Sequence, residues 1–343
     1  MHPALVPLVD RRAPADADHW DALWQALADR ALERADALAL LASLTAALPD
    51  GPSLLALVDS LDRRRPAPPS APWPGTVNVV GTGGGPSTVN ISTASALLAA
   101  ATGARVVKSG SRAHTGRTGS IDLLDRLGVP LTSSLDHTAD HLATHGIAFA
   151  GPFVYPGQLA RLALLAVPTP MRVFGRFLNT LGPFLAAVPV AAQVTGVSAT
   201  QPPPPLRTLA ARPGGPVTWL TTNPVGADEL LSFTDNTVHL PGGDTRTLPA
   251  GELVPADGTL GDLAPVSRDE AADHFRAVLA GRTSAPLRAT LSLNAAALAV
   301  ASGHRDDWAT AVGEAGAALD DGAALGLLER LTASRLRGGS RVG

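Results

Sequence analysis

Gly81-Thr82-Gly83-Gly84-Gly85-Pro86-Ser87-Thr88-Val89-Asn90-Ile91-Ser92-Thr93 is the stretch of this 343-residue chain that decides its fold. An apolar run at 77–80 precedes it and predicts a buried strand, and residues 94–102, closed by Gly103, predict a helix. Glycines between a strand and a helix let backbone amides approach an anion, and the helix start adds unpaired N–H groups. The stretch therefore predicts an anion-binding loop, although a plain tight turn has the same composition. Its spacing matches neither the Walker loop nor the dinucleotide-binding fingerprint.

A second glycine-rich stretch, residues 108–122, follows another strand-like run at 105–107. It begins with Lys108, the single lysine among 27 basic residues, and adds two arginines and several hydroxyl side chains. Two such loops at successive strand ends suit a ligand with separated phosphates. The alternatives are an exposed loop without a ligand and, for Lys108, a chance surface position.

A third motif, Gly226-Ala227-Asp228-Glu229, follows a strand-like run at 217–220. Adjacent carboxylates at such a position favour Mg²⁺ bound through oxygen atoms beside substrate phosphates. The alternative is two solvated acids at the start of a helix.

The arrangement of these segments predicts an α/β fold with a largely parallel sheet and a small all-helical domain. Apolar residues at helical spacing over 19–63, with Ser53 as a candidate N-cap, predict N-terminal helices. The run Arg63-Arg64-Arg65-Pro66 reads as a linker. We expect a helical domain over 1–70, joined by about 157–188, and an α/β domain over 75–156 and 189–343.

Composition excludes several classes of protein. The chain has no cysteine, so disulfides, thiolate catalysis and cysteine-bound zinc are excluded. A net charge of −3 gives no general attraction to nucleic acid. No apolar run is long enough for a membrane span, and the N-terminal residues lack a signal-peptide layout. We therefore expect a soluble cytoplasmic protein.

Taken together, the motifs resemble those of the anthranilate phosphoribosyltransferase family, in order from about residue 20 to 330. The family pattern has a Gly-Thr-Gly-Gly-Asp loop, an Asn-Ile-Ser-Thr helix start, a Lys-His-Gly-Asn-Arg…Gly-Ser-x-Asp loop, an Asn-x-Leu-Gly-Pro turn and a Gly-x-Asp-Glu motif. The matching stretches here are 81–85, 90–93, 108–122, 179–183 and 226–229. Several motifs in register are highly specific.

The resemblance implies the anthranilate phosphoribosyltransferase and nucleoside phosphorylase-like fold, a homodimer, and a Mg²⁺-dependent transfer from 5-phosphoribosyl-1-pyrophosphate (PRPP). No covalent nucleophile is implied, because positioning and electrostatics would carry the reaction. The residues that the resemblance assigns to the donor are Gly81, Gly83, Gly84, Asn90, Ser92, Thr93, Lys108, Gly119 and Ser120. The residues that it assigns to magnesium are Ser92, Asp228 and Glu229.

The departures from the family pattern fall mostly on the acceptor side. The family aspartate of the first loop is Gly85 here. The positions that the resemblance assigns to the acceptor are Ser109, Ser111, Tyr155, Pro156 and Arg172, where the family has histidine, asparagine, His-Pro and a carboxylate-gripping arginine whose register Arg172 only approaches. Thr222-Asn223 replaces a His-Gly. The short serines predict a wider pocket, and hence an aromatic or heteroaromatic acceptor other than anthranilate.

Three other functions stay open at this point. The chain matches the tryptophan-pathway enzyme itself if its pocket has merely diverged. Ser109-Gly110 and His114-Thr115-Gly116 faintly resemble the phosphate loop of pyrimidine nucleoside phosphorylases. Some relatives of the fold bind nucleic acid without transferase activity, but those are basic and this chain is not.

Overall fold

The computed structural model describes residues 1–66, 71–110 and 119–338, with the side chains of 171–174 and 334–338 outside that description. Fourteen α-helices lie in the described ranges: α1 Val6–Asp10, α2 Ala17–Ala28, α3 Arg34–Ala46, α4 Gly51–Asp62, α5 Ile91–Ala101, α6 Ser120–Leu127, α7 Leu135–His145, α8 Gly157–Leu165, α9 Met171–Leu185, α10 Pro204–Ala210, α11 Ala271–Leu279, α12 Ala285–Ala301, α13 Trp308–Asp320 and α14 Ala323–Gly338. The strands are β1 Trp73–Val79, β2 Arg105–Lys108, β3 Ile147–Phe149, β4 Val190–Gly196, β5 Val217–Thr222, β6 Asn236–His239 and β7 Thr245–Leu248.

The strands form one seven-stranded sheet in the order β3-β2-β1-β4-β5-β6-β7. The first five strands are parallel, whereas β6 runs antiparallel to β5 and β7 antiparallel to β6. The chain moves outward from β1 through β2 to β3, then returns to the other side of β1 as β4. The strand order therefore reverses between β1 and β4, and such a reversal opens a crevice at the carboxyl ends of the strands.

The two faces of the sheet are covered by different groups of helices. The central helices α5 and α12 pack on each other and against the sheet, and their alanine-rich sequences allow this close approach. The N-terminal helices α1–α4 share a separate apolar core with α8, α9 and α10, centred on Trp20, Leu40, Leu57 and Phe177. The predicted grouping of 157–188 with the N-terminal helices is consistent with this core, and the exact domain division stays a prediction.

Most predicted elements are present, with shifted ends. The helix predicted over 94–102 begins earlier, at Ile91, with Asn90 as its N-cap. Helix α4 is capped by Asp50 and not by Ser53, because the Asp50 carboxylate accepts from the Ser53 amide at 2.8 Å. The acids at 228 and 229 open no helix but follow a turn. In the predicted linker, Arg63 and Arg64 both pair with Asp21.

Candidate active site

The three predicted motifs meet at the reversal point of the sheet. The first glycine loop follows β1, Lys108 ends β2, and the acidic motif follows β5. Between them, β4 ends at Gly196 and continues into Ser198. Because these strands are neighbours and parallel, their carboxyl ends lie side by side. The order of the strands thus brings distant segments of the chain to one edge.

The first glycine loop is clamped onto the acidic motif. Gly83 and Gly84 have φ angles of +62° and +87°, a left-handed conformation that glycine adopts without a steric penalty. The Gly83 amide donates to Asp228 Oδ2 at 2.9 Å. A β-carbon on Gly81 would collide with the same carboxylate, and one on Gly85 would lie 2.9 Å from the Gly226 carbonyl oxygen. Glycine at 81 and 85 therefore lets the loop approach the acidic motif this closely.

Two asparagines hold the acidic motif in place from behind. Asn223 accepts from the Ala227 amide at 3.1 Å and donates to the Glu229 carbonyl at 2.8 Å. Asn294 on α12 accepts from the Leu230 amide at 3.1 Å and donates to its carbonyl at 2.7 Å. These buried bonds satisfy backbone groups that have no partner in helix or strand. They fix the backbone positions from which the Asp228 and Glu229 side chains extend.

Three charged side chains are buried together at this edge. Burial lowers the pKa of Lys108 to about 8, while Glu229 and Asp228 favour its charged form. Burial raises the pKa of Asp228, against the Gly83 hydrogen bond and the charge of Lys108. The pKa of Glu229 lies well above its ordinary value because of burial and the adjacent Asp228, with Lys108 and a hydrogen bond from Thr88 acting in the opposite sense. Lys108 is only 5% exposed, so it is not a chance surface residue.

The acidic pair fits a divalent cation that also contacts a substrate. Glu229 Oε2 is buried and has no hydrogen-bond partner in the described part of the chain. A carboxylate oxygen in that state is stabilised by a cation. No group of three histidine or acidic side chains in the described ranges is arranged to hold a metal. Two carboxylates fit Mg²⁺, which commonly takes one or two carboxylates and completes its shell with phosphates and water.

The helix start that follows the first loop carries the other predicted donor residues. Asn90 caps α5, Ser92 is partly buried in its first turn, and Thr93 is fully buried. Thr93 Oγ1 has no hydrogen-bond partner among the described residues. The roles of these three side chains toward a donor, and of Ser92 toward magnesium, stay predictions.

The second glycine loop is described only at its two ends. Gly110 lies close to Ser120, because a β-carbon at 110 would be 2.5 Å from the Ser120 hydroxyl oxygen. Gly119 caps α6 and donates to Asp122 at 3.2 Å. The ends of the loop therefore meet. Ser111, a predicted acceptor residue, lies outside the described residues, as do the arginines of this loop.

The acceptor side differs from what the sequence predicts at Ser109. This residue is fully buried, and its amide and hydroxyl both donate to Asn78 Oδ1, each at 3.1 Å. Asn78 in turn donates to Gln193 at 3.0 Å. The Tyr155 hydroxyl is hydrogen-bonded to Ser109 as well, and burial raises the pKa of this tyrosine. Tyr155 therefore occupies space beside Ser109, and the wider pocket stays a prediction because Ser111 lies outside the described residues.

Two other residues, Pro156 and Arg172, were also predicted to lie on the acceptor side. Pro156 is buried and precedes α8. Arg172 lies in α9, but its side chain is outside the described part of the structure.

Sequence reasoning assigned no role to Asn78, Gln193 or Ser198, which are all part of the site's framework. The Ser198 hydroxyl donates to the Gly83 carbonyl at 2.5 Å, and none of the sequence motifs gave this residue a role. Asparagine occurs only six times in the chain, and this scarcity was the one available signal for Asn78.

Comparison with known proteins identifies one family of similar proteins. The glycosyl transferase family, a/b domain, matches residues 74–325. The anthranilate phosphoribosyltransferase of Methylorubrum extorquens is 35% identical over 275 residues, which cover 79% of this chain and 80% of that protein. The anthranilate phosphoribosyltransferase of Rhodospirillum rubrum is 33% identical over 266 residues, which cover 76% of this chain and 75% of that protein.

Solved structures agree with the predicted fold. The anthranilate phosphoribosyltransferase of Thermus thermophilus superposes with a TM-score of 0.80 at 28% identity, covering 97% of this chain and 99% of that one. The enzyme of the same name from Saccharomyces cerevisiae, solved with PRPP and Mg, gives 0.74 at 21% identity over 94% and 92% of the two chains. The fold prediction is confirmed. Separately, none of the described helices combines the length and apolar composition that crossing a membrane requires.

Proposed function

Because the chain belongs to the anthranilate phosphoribosyltransferase family of glycosyl transferases, we propose that it moves the 5-phosphoribosyl group of PRPP to an aromatic acceptor with the help of Mg²⁺. The observation that carries this proposal is the buried group of Lys108, Asp228 and Glu229 beside the first glycine loop. Ionisable groups buried together at a strand edge are unfavourable without a ligand of matching charge. Pyrophosphate together with a divalent cation is such a ligand.

Each part of the donor side has a task in this reaction. Asp228 and Glu229 would hold Mg²⁺, and the ammonium of Lys108 would hold a phosphate oxygen through a charge-assisted hydrogen bond. The bound metal would neutralise the negative charge that builds on the departing pyrophosphate. The α5 N-terminus and the loop amides that are not taken by Asp228 face the same edge and favour anions. Catalysis then rests on positioning and electrostatic stabilisation, with no covalent intermediate on the protein.

The acceptor is proposed to be an aromatic or heteroaromatic compound other than anthranilate. Anthranilate needs a cation for its carboxylate and a polar partner for its amine. At position 109 the hydroxyl and amide are both taken by Asn78, so they offer no free donor to an acceptor. A carboxylate left without a partner in a partly dry pocket costs about 1–3 kcal/mol, which corresponds to a roughly ten- to hundredfold loss of affinity.

Anthranilate itself is the second candidate, and the names of the relatives favour it. An assay of pyrophosphate release separates the two candidates. Purified protein would be given PRPP and Mg²⁺ with anthranilate or with a panel of substituted anilines and heteroaromatic amines. Pyrophosphate release with a panel member, and little with anthranilate, supports the first candidate. A kcat/KM for anthranilate within the usual enzyme range of about 10⁴–10⁸ M⁻¹s⁻¹, with rescue of a tryptophan auxotroph, supports the second.

Absence of pyrophosphate release with every acceptor would contradict the transferase itself. A parallel gel-shift with single-stranded DNA, and phosphorolysis assays with pyrimidine nucleosides, would then test the two other functions. The homodimer and the cytoplasmic location stay predictions, which light scattering and cell fractionation would test.

A further inference from the structure

Three histidines form a row along α7, a helix that takes no part in the proposed transferase site. His137, His141 and His145 are four residues apart, so they share one face of the helix. The ring centroids of His137 and His141 are 4.7 Å apart with an interplanar angle of 82°. Those of His141 and His145 are 5.5 Å apart at 67°. Of the nine histidines in the chain, these three pack ring against ring.

The fold does not explain this row. The buried residues of α7 are Thr138 and Leu142, which anchor the helix on the sheet. The three histidines are only partly buried. Within the described part of the chain, no hydrogen bond reaches a ring nitrogen of His141 or His145. Ring nitrogens that have no partner in the protein are suited to an external ligand.

We propose that neighbouring rings of this row chelate a divalent transition metal ion such as zinc or nickel. Two histidines at positions i and i+4 on one helix face are a known way to hold zinc. Two imidazoles that share a zinc ion at about 2.0–2.1 Å in tetrahedral geometry place their ring centres roughly 5 Å apart. Both observed separations are near that value.

The charges around the row select the pair His137 and His141. Arg330 on α14 acts electrostatically on His145 and disfavours a cation at that end. Asp140 acts on His141 and favours one. The Ser133 amide donates to His137 Nδ1 at 3.3 Å, so Nε2 carries the proton of the neutral ring. Binding of a metal through Nε2 would move that proton to Nδ1, where the Ser133 hydroxyl at 3.4 Å can accept it in place of the amide contact. Because no group of three ligands is present in the described ranges, water would complete the coordination.

The protonation of the row supports the same chemistry. Burial and the neighbouring His137 and His145 lower the pKa of His141, although Asp140 acts in the opposite sense. His141 is therefore neutral near pH 7, and a neutral imidazole is the form that binds metal. Protons compete for the same nitrogens, so affinity should fall as the pH is lowered.

Calorimetric titration of the full-length protein with zinc or nickel chloride, in the presence of Mg²⁺, tests this proposal. Loss of a group that only orients a metal ligand costs about 10–100-fold in affinity, so His141→Ala and His137→Ala should each weaken binding at least tenfold. His145→Ala should change it less than threefold, and His274→Ala on α11 should match the wild type. Circular dichroism verifies the fold, and His141→Gln provides a second variant if His141→Ala is unstable.

The copper(II) complex gives an independent readout, since paramagnetic resonance should show coupling to two imidazole nitrogens. Equal zinc affinity in the wild type and His141→Ala would overturn the site. So would loss of binding in Asp228→Ala/Glu229→Ala with retention in His141→Ala, because the metal would then bind at the transferase site. Loss in His145→Ala but not in His137→Ala would overturn the choice of pair.

Discussion

The proposed donor side and the proposed acceptor side of the site are built in different ways. The donor side depends on backbone geometry: Gly81 and Gly85 let the loop touch Asp228, and asparagines fix the acidic motif through main-chain groups. The acceptor side depends on side chains, which run from Tyr155 through Ser109 and Asn78 to Gln193. Substitutions can alter a side-chain network without moving the main chain. A site made by close backbone contacts is harder to alter, which fits the expectation that departures from the family pattern fall mostly on the acceptor side, with Gly85 as the exception on the donor side.

Replacement of both acids should have the largest effect and would establish the donor side as the catalytic half. We expect Asp228→Ala/Glu229→Ala to reduce kcat/KM by about 10³-fold or more, because charge on the leaving group then goes unneutralised. Calorimetry with PRPP, with and without Mg²⁺, should show that metal-dependent donor binding is gone. Asp244→Ala, an exposed acid in the β6–β7 turn, is the matched control. Equal donor affinity with and without Mg²⁺ in the wild type would contradict the assignment.

Removal of the buried lysine should come next. Lys108→Ala should raise the KM for PRPP roughly ten- to hundredfold, the loss expected for a charge-assisted hydrogen bond of about 1.5–3 kcal/mol. The KM for the acceptor should stay within twofold. Since the pKa of Lys108 is about 8 and kcat/KM reports the free enzyme, wild-type kcat/KM for the donor should fall as the pH rises above 8. In Lys108→Arg this decline should move to higher pH, and an unchanged profile would show that another group titrates.

A methyl group on the first loop tests whether backbone contact controls the donor side. Gly81→Ala should push Asp228 out of position, at a cost of about 1–3 kcal/mol for forced overpacking, and lower donor affinity about tenfold. Gly157→Ala at the start of α8 is the control, because a β-carbon there meets nothing within 4 Å. Thermal unfolding separates loss of binding from loss of fold. If Gly81→Ala binds PRPP as tightly as the wild type, the contact is not required.

Loss of one hydroxyl on the acceptor side should have the smallest effect. Tyr155→Phe keeps the ring and removes a hydrogen bond worth about 0.5–1.5 kcal/mol. We expect the KM for the aromatic acceptor to change about two- to tenfold, with the KM for PRPP unchanged. Tyr155→Ala, which also opens space, should widen the range of accepted ring sizes. If the KM for PRPP changed instead, the proposed separation into a donor side and an acceptor side would be wrong.

The sequence predicted that the proposed donor-side residues lie close together, because each of them belongs to a local motif. Glycines bounding apolar runs indicated β1, β2 and the loops between strands and helices, and parallel strand ends must share an edge. Lys108, Asp228 and Glu229 could therefore be placed together without coordinates. The β6–β7 hairpin was missed, because its strands have four residues each and β7 is largely exposed, which leaves little apolar pattern to detect.

The acceptor side could not be predicted in the same way. Whether Ser109 faces a ligand or Asn78 depends on the relative position of β1, β2 and the segment after β3. A local sequence pattern does not determine how far apart these segments lie. The resemblance identified the positions that changed, but the wider pocket inferred from side-chain length stays a prediction, because Tyr155 lies against Ser109 and Ser111 lies outside the described residues.

The single lysine of the chain makes this protein a natural target for site-selective labelling. With a pKa of about 8, roughly one tenth of the Lys108 side chains are uncharged nucleophilic amines at pH 7, far more than for an ordinary lysine. A small aldehyde bearing a phosphate would be drawn to the proposed anion site, and borohydride reduction would fix the adduct on Lys108, with the α-amino group as the competing position. Apart from the α-amino group, the chain offers no other amine. Mass spectrometry of the intact protein would then give the fraction of molecules that carry the label, and hence the fraction whose proposed donor site was empty. No engineered tag is needed.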